Sequence, residues 1–183
     1  MLQTYSSAST RTLLKATLGT LGFCGALLAA PAAHAQVVNS TPKIEAENPA
    51  NTLTGTGIAV ATAITGFSGT GYVDFNGKPT SLTMSYSATT AGSYEIVIVY
   101  ESQYDPKVGA LSVNGGAKNP VYFNSTKAAG GFKKTTSRRI LLTAGANTIT
   151  ISDNDYGYFG IDYVQIAAVA ATPAFLLPLR PAG

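Results

Sequence analysis

Alternation of polar and apolar residues with a period of two is the feature of this chain that most restricts its fold. In residues 93–100 it places Tyr94, Ile96, Ile98 and Tyr100 on one face of an extended strand. No helical periodicity competes with this pattern along the chain. Similar short strands are predicted at residues 43–48, 57–63, 71–75, 80–87, 108–113, 119–123, 137–143, 146–152 and 160–167.

Turn signals separate these strands and indicate how the strands pair. Asn114-Gly115-Gly116 and Ala144-Gly145-Ala146-Asn147 are typical of tight turns. Because no helix lies between successive strands, antiparallel pairing is expected, which favours a sandwich or a barrel. The sequence therefore predicts an all-β fold, an antiparallel β-sandwich of the jelly-roll type with about ten short strands.

The first 35 residues have the features of a secretory signal peptide. Arg11 and Lys15 precede an apolar run over residues 18–30. Ala33-His34-Ala35 then supplies the small residues that a signal peptidase accepts. Cleavage after Ala35 predicts a secreted protein, either extracellular or periplasmic.

The rest of the chain is expected to form one folded module and a tail. The module is predicted over residues 41–167, which is long enough for one hydrophobic core. The tail or linker over residues 168–183 is apolar but is interrupted by Pro173, Pro178 and Pro181. The apolar run of the signal is short for a membrane span, and no later run is longer without a break.

Removal of the signal would also remove Cys24 and His34, the only Cys and the only His of the chain. A disulfide framework, a thiolate nucleophile, a Ser–His–Asp triad and a zinc or copper site on His or Cys are then excluded. A bound metal would be a hard, oxygen-preferring cation, which in an exported protein is usually calcium. The signal takes two of the twelve Lys and Arg residues, so the remainder nearly balances the nine Asp and Glu residues. This balance gives no support for nucleic acid or an acidic membrane as a partner.

Three long connections are expected to lie together at one end of the sandwich. If each connection reverses the chain direction, residues 101–107, 124–136 and 153–159 share one end, and the turns at 114–116 and 144–146 share the other. The long connections contain Tyr104, Asp105, Lys107, Asn124, Lys127, Phe132, Lys133, Asp153, Asn154, Asp155, Tyr156, Tyr158 and Phe159. Long loops rich in aromatic and amide side chains indicate a binding end. The alternative is that these aromatic rings only cap the core.

Six short segments occur in an order that resembles a known family. They are Ile44-Glu45-Ala46-Glu47, Gly66-Phe67-Ser68-Gly69-Thr70-Gly71-Tyr72-Val73, Ala91-Gly92-Ser93-Tyr94, Val113-Asn114-Gly115, Leu142-Thr143-Ala144-Gly145-Ala146-Asn147-Thr148-Ile149 and Gly160-Ile161-Asp162-Tyr163-Val164. In this order they resemble the family 35 and family 6 carbohydrate-binding modules, particularly those attached to bacterial β-mannanases. The resemblance covers about residues 43–167.

The resemblance implies a structural calcium ion bound by Glu45, Glu47 and Asp162. Glu45 and Glu47 are two apart on a predicted strand, so their carboxylates should project from the same face. Asp162 lies in the last strand, which the family pairs with the first strand near this ion. With carbonyls from residues 66–71 these groups could supply the roughly six to eight oxygen ligands that calcium takes. The alternative is that the two glutamates are only a polar outer face.

The resemblance also implies sugar binding through aromatic rings in the end loops. The C–H faces of a pyranose stack on an aromatic face, while Asn, Asp and Lys side chains bond its hydroxyls. The residues expected to do this are Tyr104, Asp105, Lys107, Phe132, Asn154, Tyr156 and Tyr158. Mannanase-linked relatives tend to carry Trp in the last two loops, whereas this chain has no Trp. Smaller stacking faces predict weaker binding or a different sugar.

The expected function is that of a secreted, non-catalytic carbohydrate-binding module. Its ligand would be β-mannan or a related plant polysaccharide, and a linked or associated glycoside hydrolase is a natural partner. One alternative is a structural or adhesive surface sandwich without a sugar site. Another is a small polysaccharide hydrolase using Asp153, Asp155 or Glu101, although hydrolysis needs two carboxylates across a cleft, and a sandwich of this size offers no deep cleft.

Overall fold

Two antiparallel sheets pack face to face in this protein. The computed structural model describes residues 41–76, 79–103, 106–127, 130–135, 137–153 and 157–170. The strands in these residues are β1 (Lys43–Glu45), β2 (Thr52–Thr54), β3 (Ile58–Ala61), β4 (Tyr72–Phe75), β5 (Thr80–Ala88), β6 (Gly92–Glu101), β7 (Lys107–Val113), β8 (Asn119–Phe123), β9 (Lys133–Lys134), β10 (Arg138–Leu142), β11 (Gly145–Asp153) and β12 (Phe159–Ala168). The predicted signal peptide and most of the predicted tail lie outside the described residues.

The strand order makes the fold a sandwich of two unequal sheets. The first sheet has the order β10-β6-β12-β4-β3, with β1 also paired to β12 and β9 also paired to β6. The second sheet has the order β2-β5-β11-β7-β8. The predicted all-β, jelly-roll-type sandwich is thus confirmed. Among the described residues, no helix is long and apolar enough to cross a membrane.

The predicted strands are all present, and the structure adds two short ones, β2 and β9. With three and two residues, these strands are too short to show a period of two in the sequence. The connection at 124–136, which was expected to be a loop throughout, therefore contains a strand that pairs with β6. This pairing holds the end of that connection against the edge of the first sheet.

Aromatic rings fill the core at the end where the long connections lie. Phe75 and Phe123 both stack on Phe159, with ring centres 4.6 and 4.4 Å away, and Tyr100 packs on Phe123 at 4.8 Å. Gly109 makes room for this layer, because a Cβ at that position would lie 2.8 Å from the Phe123 ring. Tyr100 and Phe123 stand at the ends of β6 and β8, and Phe159 stands at the start of β12, so the layer is a base for the three long connections.

The register of the strands confirms that the long connections share one end. Gly160 opposes Glu101, Phe123 opposes Lys107, and Asp153 opposes Gly109. These pairs stand where β6, β8 and β11 end and where β7 and β12 begin. We refer to this end of the sandwich as the loop end, and to the opposite end, with its tight turn at Asn114-Gly115, as the turn end.

Replacing Phe159 with Ala should lower the free energy of unfolding by about 3–5 kcal/mol, because it leaves a cavity between two stacked rings. Urea titration followed by circular dichroism measures the change. Leu141→Ala is the matched control: Leu141 is 76% exposed on β10, so its truncation should cost less than about 0.5 kcal/mol. Equal costs for the two variants would contradict a structural role for the aromatic layer.

Candidate functional site

The structure describes three of the seven side chains predicted to bind sugar. Lys107, Phe132 and Tyr158 are described, whereas Tyr104, Asp105, Asn154 and Tyr156 lie outside the described residues. The three described residues are all at the loop end, as expected. At this end Lys107 lies beside Tyr158, whereas Phe132 lies beside Tyr72.

Tyr158 and Lys107 come together at the loop end. Tyr158 is 50% exposed, and the ammonium nitrogen of Lys107 lies 5.9 Å from the centre of its ring. The backbone of Tyr158 is left-handed (φ 68°), and its N–H donates a hydrogen bond to the Phe75 carbonyl. A bulky residue in this conformation is uncommon and is held by its surroundings. The chain therefore presents an exposed ring, on a restrained stretch of backbone, beside a cationic donor.

Phe132 packs against a different aromatic group. Its ring meets Tyr72 edge-on, with centres 5.2 Å apart, and Tyr72 also contacts Phe67 at 6.2 Å. Tyr72 is buried, whereas Phe67 and Phe132 are partly exposed. Tyr72 projects from the outer face of the first sheet, because its neighbours on β4, Val73 and Phe75, alternate toward the core. The Phe132 ring thus borders the outer face of that sheet.

Two carboxylates project from the same outer face beside Tyr72. Gly160 of β12 opposes Asp74 of β4 on one side and Glu101 of β6 on the other. Burial raises the pKa of Glu101, and the charge of Asp74 raises it further, while hydrogen bonds from Gln103 and the Gly160 backbone lower it. Burial also raises the pKa of Asp74. These two acids have no Lys or Arg partner among the described residues.

Three hydrogen bonds between Ser102 and Thr126 join two of the long connections. The Thr126 N–H donates to the Ser102 carbonyl at 2.7 Å, and the Ser102 N–H donates to the Thr126 hydroxyl at 3.0 Å. The Thr126 hydroxyl donates in turn to the Ser102 carbonyl at 3.2 Å. Both residues are buried. The connection after β6 is therefore fixed to the connection after β8.

The three predicted metal ligands surround the loop at Ser68–Thr70. The Ser68 N–H donates to Asp162 Oδ1 at 2.8 Å, and its hydroxyl donates to Glu45 Oε2 at 2.6 Å. The Thr70 N–H donates to Glu47 Oε1 at 2.8 Å. The structure therefore brings Glu45, Glu47 and Asp162 to one loop, as the sequence predicted.

The prediction that Glu45 and Glu47 lie on the same strand was wrong. Glu47 does not continue a strand with Glu45, because β1 ends at Glu45 and Glu47 lies in the following turn. The turn directs Glu47 toward Gly69, where an added Cβ would lie 2.1 Å from Glu47 Oε1. In the part of the chain that the structure describes, no group of three His, Cys, Asp or Glu side chains has the geometry of a metal centre. The three carboxylates are held together through the loop.

The crowding of these carboxylates has an electrostatic cost. Burial raises the pKa of Asp162 to about 6, and the charges of Glu45 and Glu47 contribute, against the hydrogen bond from Ser68 and the charge of Lys43. Because the pKa in the folded state is above its ordinary value, Asp162 stabilises the cation-free fold at acid pH. This contribution is lost as the pH rises through about 6. At neutral pH a cation here would offset the repulsion.

Comparison with known proteins decides the family. The sequence pattern of "Carbohydrate binding module (family 35)" matches residues 44–169, which are most of the chain. The chain belongs to this family. The predicted resemblance is confirmed, and from here on residues 44–169 are called the module.

Among solved structures, the module is similar to the Podospora anserina β-(1,4)-mannanase that joins a family 26 glycoside hydrolase to a family 35 module. The identity is 32% with a TM-score of 0.63, covering 73% of this chain and 28% of that one. A family 35 carbohydrate-binding module from Clostridium thermocellum is 29% identical with a TM-score of 0.62, covering 69% of this chain and 98% of that one.

Among curated proteins, the chain is similar to mannan endo-1,4-β-mannosidases. The enzyme of Thermothelomyces thermophilus is 28% identical over 169 residues, which are 89% of this chain and 34% of that protein. Mannan endo-1,4-β-mannosidase B of a Piromyces species is 32% identical over 100 residues, which are 54% of this chain and 17% of that protein. The chain thus spans about a third or less of the length of these relatives.

The sequence does not indicate that Tyr72, Asp74 and Glu101 lie together. Tyr72 belongs to one of the family segments, and Glu101 is a candidate only as a hydrolytic acid. Their proximity depends on Gly160, which stands between Asp74 and Glu101 in the sheet. The register of non-adjacent strands is not visible in a single sequence, so no sequence signal could have placed these side chains together.

Replacing Thr126 with Val should lower the free energy of unfolding of the module by about 1–3 kcal/mol, because the buried Ser102 N–H loses its acceptor. Urea titration measures the change. Thr148→Val on β11 is the matched control, since Thr148 is exposed and its substitution should stay within about 0.5 kcal/mol. A Thr126→Val variant as stable as the parent would contradict the role of this hydrogen bond.

Proposed function

We propose that the module binds β-mannan or a related plant polysaccharide through its loop end and performs no catalysis itself. The exposed ring of Tyr158 beside the Lys107 ammonium is the observation that carries this proposal. Such a ring offers a face for the C–H surface of a pyranose, and the ammonium offers a donor to its hydroxyls. Tyr104, Asp105, Asn154 and Tyr156, in the same connections, are proposed to complete the site.

The proposed ligand is based on the similar proteins. Several similar proteins are mannanases, and the chain matches only a part of each. We therefore propose that this chain works with a glycoside hydrolase, linked or associated, and holds that enzyme near its polysaccharide. Secretion, proposed from the sequence of the first 35 residues, would bring the module to an extracellular or periplasmic substrate.

A non-catalytic role agrees with the placement of the acids that a hydrolase would need. Glu101 and Asp153 are both buried, at 5% and 2% exposure. Hydrolysis of a glycosidic bond needs two carboxylates that face the bond from opposite sides. Neither of these two carboxylates is exposed enough to approach a glycosidic bond as an acid, base or nucleophile, and Asp155, the third candidate acid, lies outside the described residues. This arrangement supports binding as the function.

We also propose that Glu45, Glu47 and Asp162 hold a structural calcium ion. The residues fit the ion in two ways. The Glu47 Oε2 atom is buried and has no hydrogen-bond partner among the described residues, so it is available as a ligand. Three carboxylates converge on one loop with their charges poorly compensated. A bound calcium would supply charge neutralisation and would link the turn after β1, the loop at 66–71 and β12.

Calcium should raise the melting temperature of the module by several degrees relative to EDTA, because an ion that binds only the folded state stabilises it. Differential scanning calorimetry with and without calcium measures this. Asp162→Asn should abolish most of the response. Asp74→Asn is the matched control, since Asp74 lies on the same sheet outside the carboxylate cluster, and it should keep the response. Identical melting in EDTA and calcium would contradict the proposed ion.

Replacing Tyr158 with Ala should weaken binding of manno-oligosaccharides by about 1–3 kcal/mol, as truncation of a binding hot spot often does. Isothermal titration calorimetry on the parent and the variant measures the loss. Tyr122→Ala is the matched control: Tyr122 is 57% exposed, but lies on the outer face of the second sheet. Equal affinities for the parent and for folded Tyr158→Ala would place the sugar elsewhere.

A further inference from the structure

The carboxylate of Glu101 is buried, but its neighbours do not supply hydrogen bonds to both of its oxygens. It is 5% exposed, and its Oε2 atom is buried with no hydrogen-bond partner among the described residues. The carboxylate does receive hydrogen bonds from the Gln103 side chain and the Gly160 backbone. A buried acceptor without a donor costs free energy that a donating ligand would recover. This unpaired oxygen is a property of the free protein that points to a ligand.

Gly160 creates the space in which Glu101 meets an aromatic ring. A Cβ at this position would lie 2.7 Å from the Tyr72 ring and 2.9 Å from Glu101 Oε1. The ring and the carboxylate therefore approach the same point of β12 from β4 and β6. Asp74, which opposes Gly160 from β4, adds a second, half-buried carboxylate at the border.

The surroundings of Glu101 combine apolar rings with acceptors. Tyr72 contacts both Phe132 and Phe67, and these last two rings are partly exposed. Partly exposed rings beside carboxylates suit a ligand that has apolar C–H faces and several hydroxyl donors, which describes a sugar ring. A metal ion, by contrast, would be bound by the carboxylate oxygens without help from the rings.

This cluster is continuous with the loop end. Glu101 is the last residue of β6, directly before the connection that leads to Lys107. Gly160 follows Tyr158 by two residues, so the exposed Tyr158 ring, directly before β12, is close along the chain to the cluster at the start of that strand. A polysaccharide chain that contacts Tyr158 can extend from the loop end to the outer face of the first sheet.

We propose that Glu101, with Tyr72 and Phe132 beside it and Asp74 at the border, forms a second sugar subsite in which neighbouring ring hydroxyls donate hydrogen bonds to the Glu101 carboxylate. The inference rests on the proposed function of the module and extends it by one sugar residue.

Entry of the sugar requires side chains above Glu101 to move, because the Oε2 atom is buried in the free protein. Gln103 is partly exposed and hydrogen-bonds to Glu101. Its amide can leave the carboxylate when a sugar hydroxyl replaces it, so the number of donors to Glu101 does not fall. Changes of side-chain rotamer on this scale are common when ligands bind.

Glu101→Gln tests this subsite, because the amide keeps the shape but loses the charge and one acceptor oxygen. We expect the affinity for manno-oligosaccharides to fall on the order of tenfold or more. We expect the melting temperature to stay the same or rise, because an uncompensated buried charge is removed. Glu95→Gln is the matched control: Glu95 is on the same strand and face but far from the loop end, hydrogen-bonded to Ser137 at 2.7 Å. Its affinity should equal that of the parent.

Calorimetric titrations of both variants and the parent, with calcium and with EDTA, separate the outcomes. A parent that binds no manno-oligosaccharide overturns the proposed function itself. A parent that binds, with Glu101→Gln binding equally well, overturns only the second subsite. An affinity loss in Glu101→Gln that disappears in EDTA assigns the acids to a cation and also overturns the subsite. If Glu101→Gln does not fold, Glu101→Asp withdraws the carboxylate and must show the same loss, or the subsite is rejected.

Discussion

The pairing of the last strand with three neighbours is the constraint on which the rest of the structure depends. β12 pairs with β6 along one edge and with β4 and β1 along the other. Phe159 of this strand stacks in the core, Asp162 reaches the carboxylate cluster, and Gly160 lets Tyr72 approach Glu101. Core, proposed metal site and proposed sugar site are thus positioned by ten residues of one strand.

The two acidic clusters on the first sheet differ in how their charges are compensated. Glu45, Glu47 and Asp162 receive hydrogen bonds from the backbone and hydroxyl groups of one loop, and converge where an ion can join them. Glu101 and Asp74 lie instead among aromatic rings, with fewer donors. Each cluster keeps one buried carboxylate, Asp162 or Glu101, and Lys43 compensates the charge of Asp162 only in part, which is costly in a protein interior. A protein keeps such an unfavourable arrangement of charge most readily where a bound ligand compensates it.

The sequence was sufficient for the fold and for the placing of the three long connections at one end of the sandwich. Alternation in residues such as Tyr94, Ile96 and Ile98 depends only on local geometry, so it predicted strands that the structure confirms. The reversal of direction at each turn placed the long connections together. The carboxylates of Glu45, Glu47 and Asp162 were also expected to meet, although Glu47 reaches the loop from a turn and not from a strand.

What the sequence could not supply was the register between distant strands. The row of Asp74, Gly160 and Glu101 joins three strands that are far apart in the chain, and a shift by one residue would turn two of these side chains to the other face. Likewise, Phe132 was expected among sugar-binding rings, but its contact with Tyr72 depends on how a connection folds back over the sheet.

The antiparallel pairing of β1 with β12 also determines where the chain enters and leaves the module. Lys43 opposes Gln165, so the first residue of β1 lies beside the closing residues of β12. Both ends of the folded unit therefore emerge at the turn end, on the side away from Tyr158 and Lys107. A second domain fused at either terminus would leave the loop end unobstructed, which makes this unit transferable between polypeptides as a self-contained cassette.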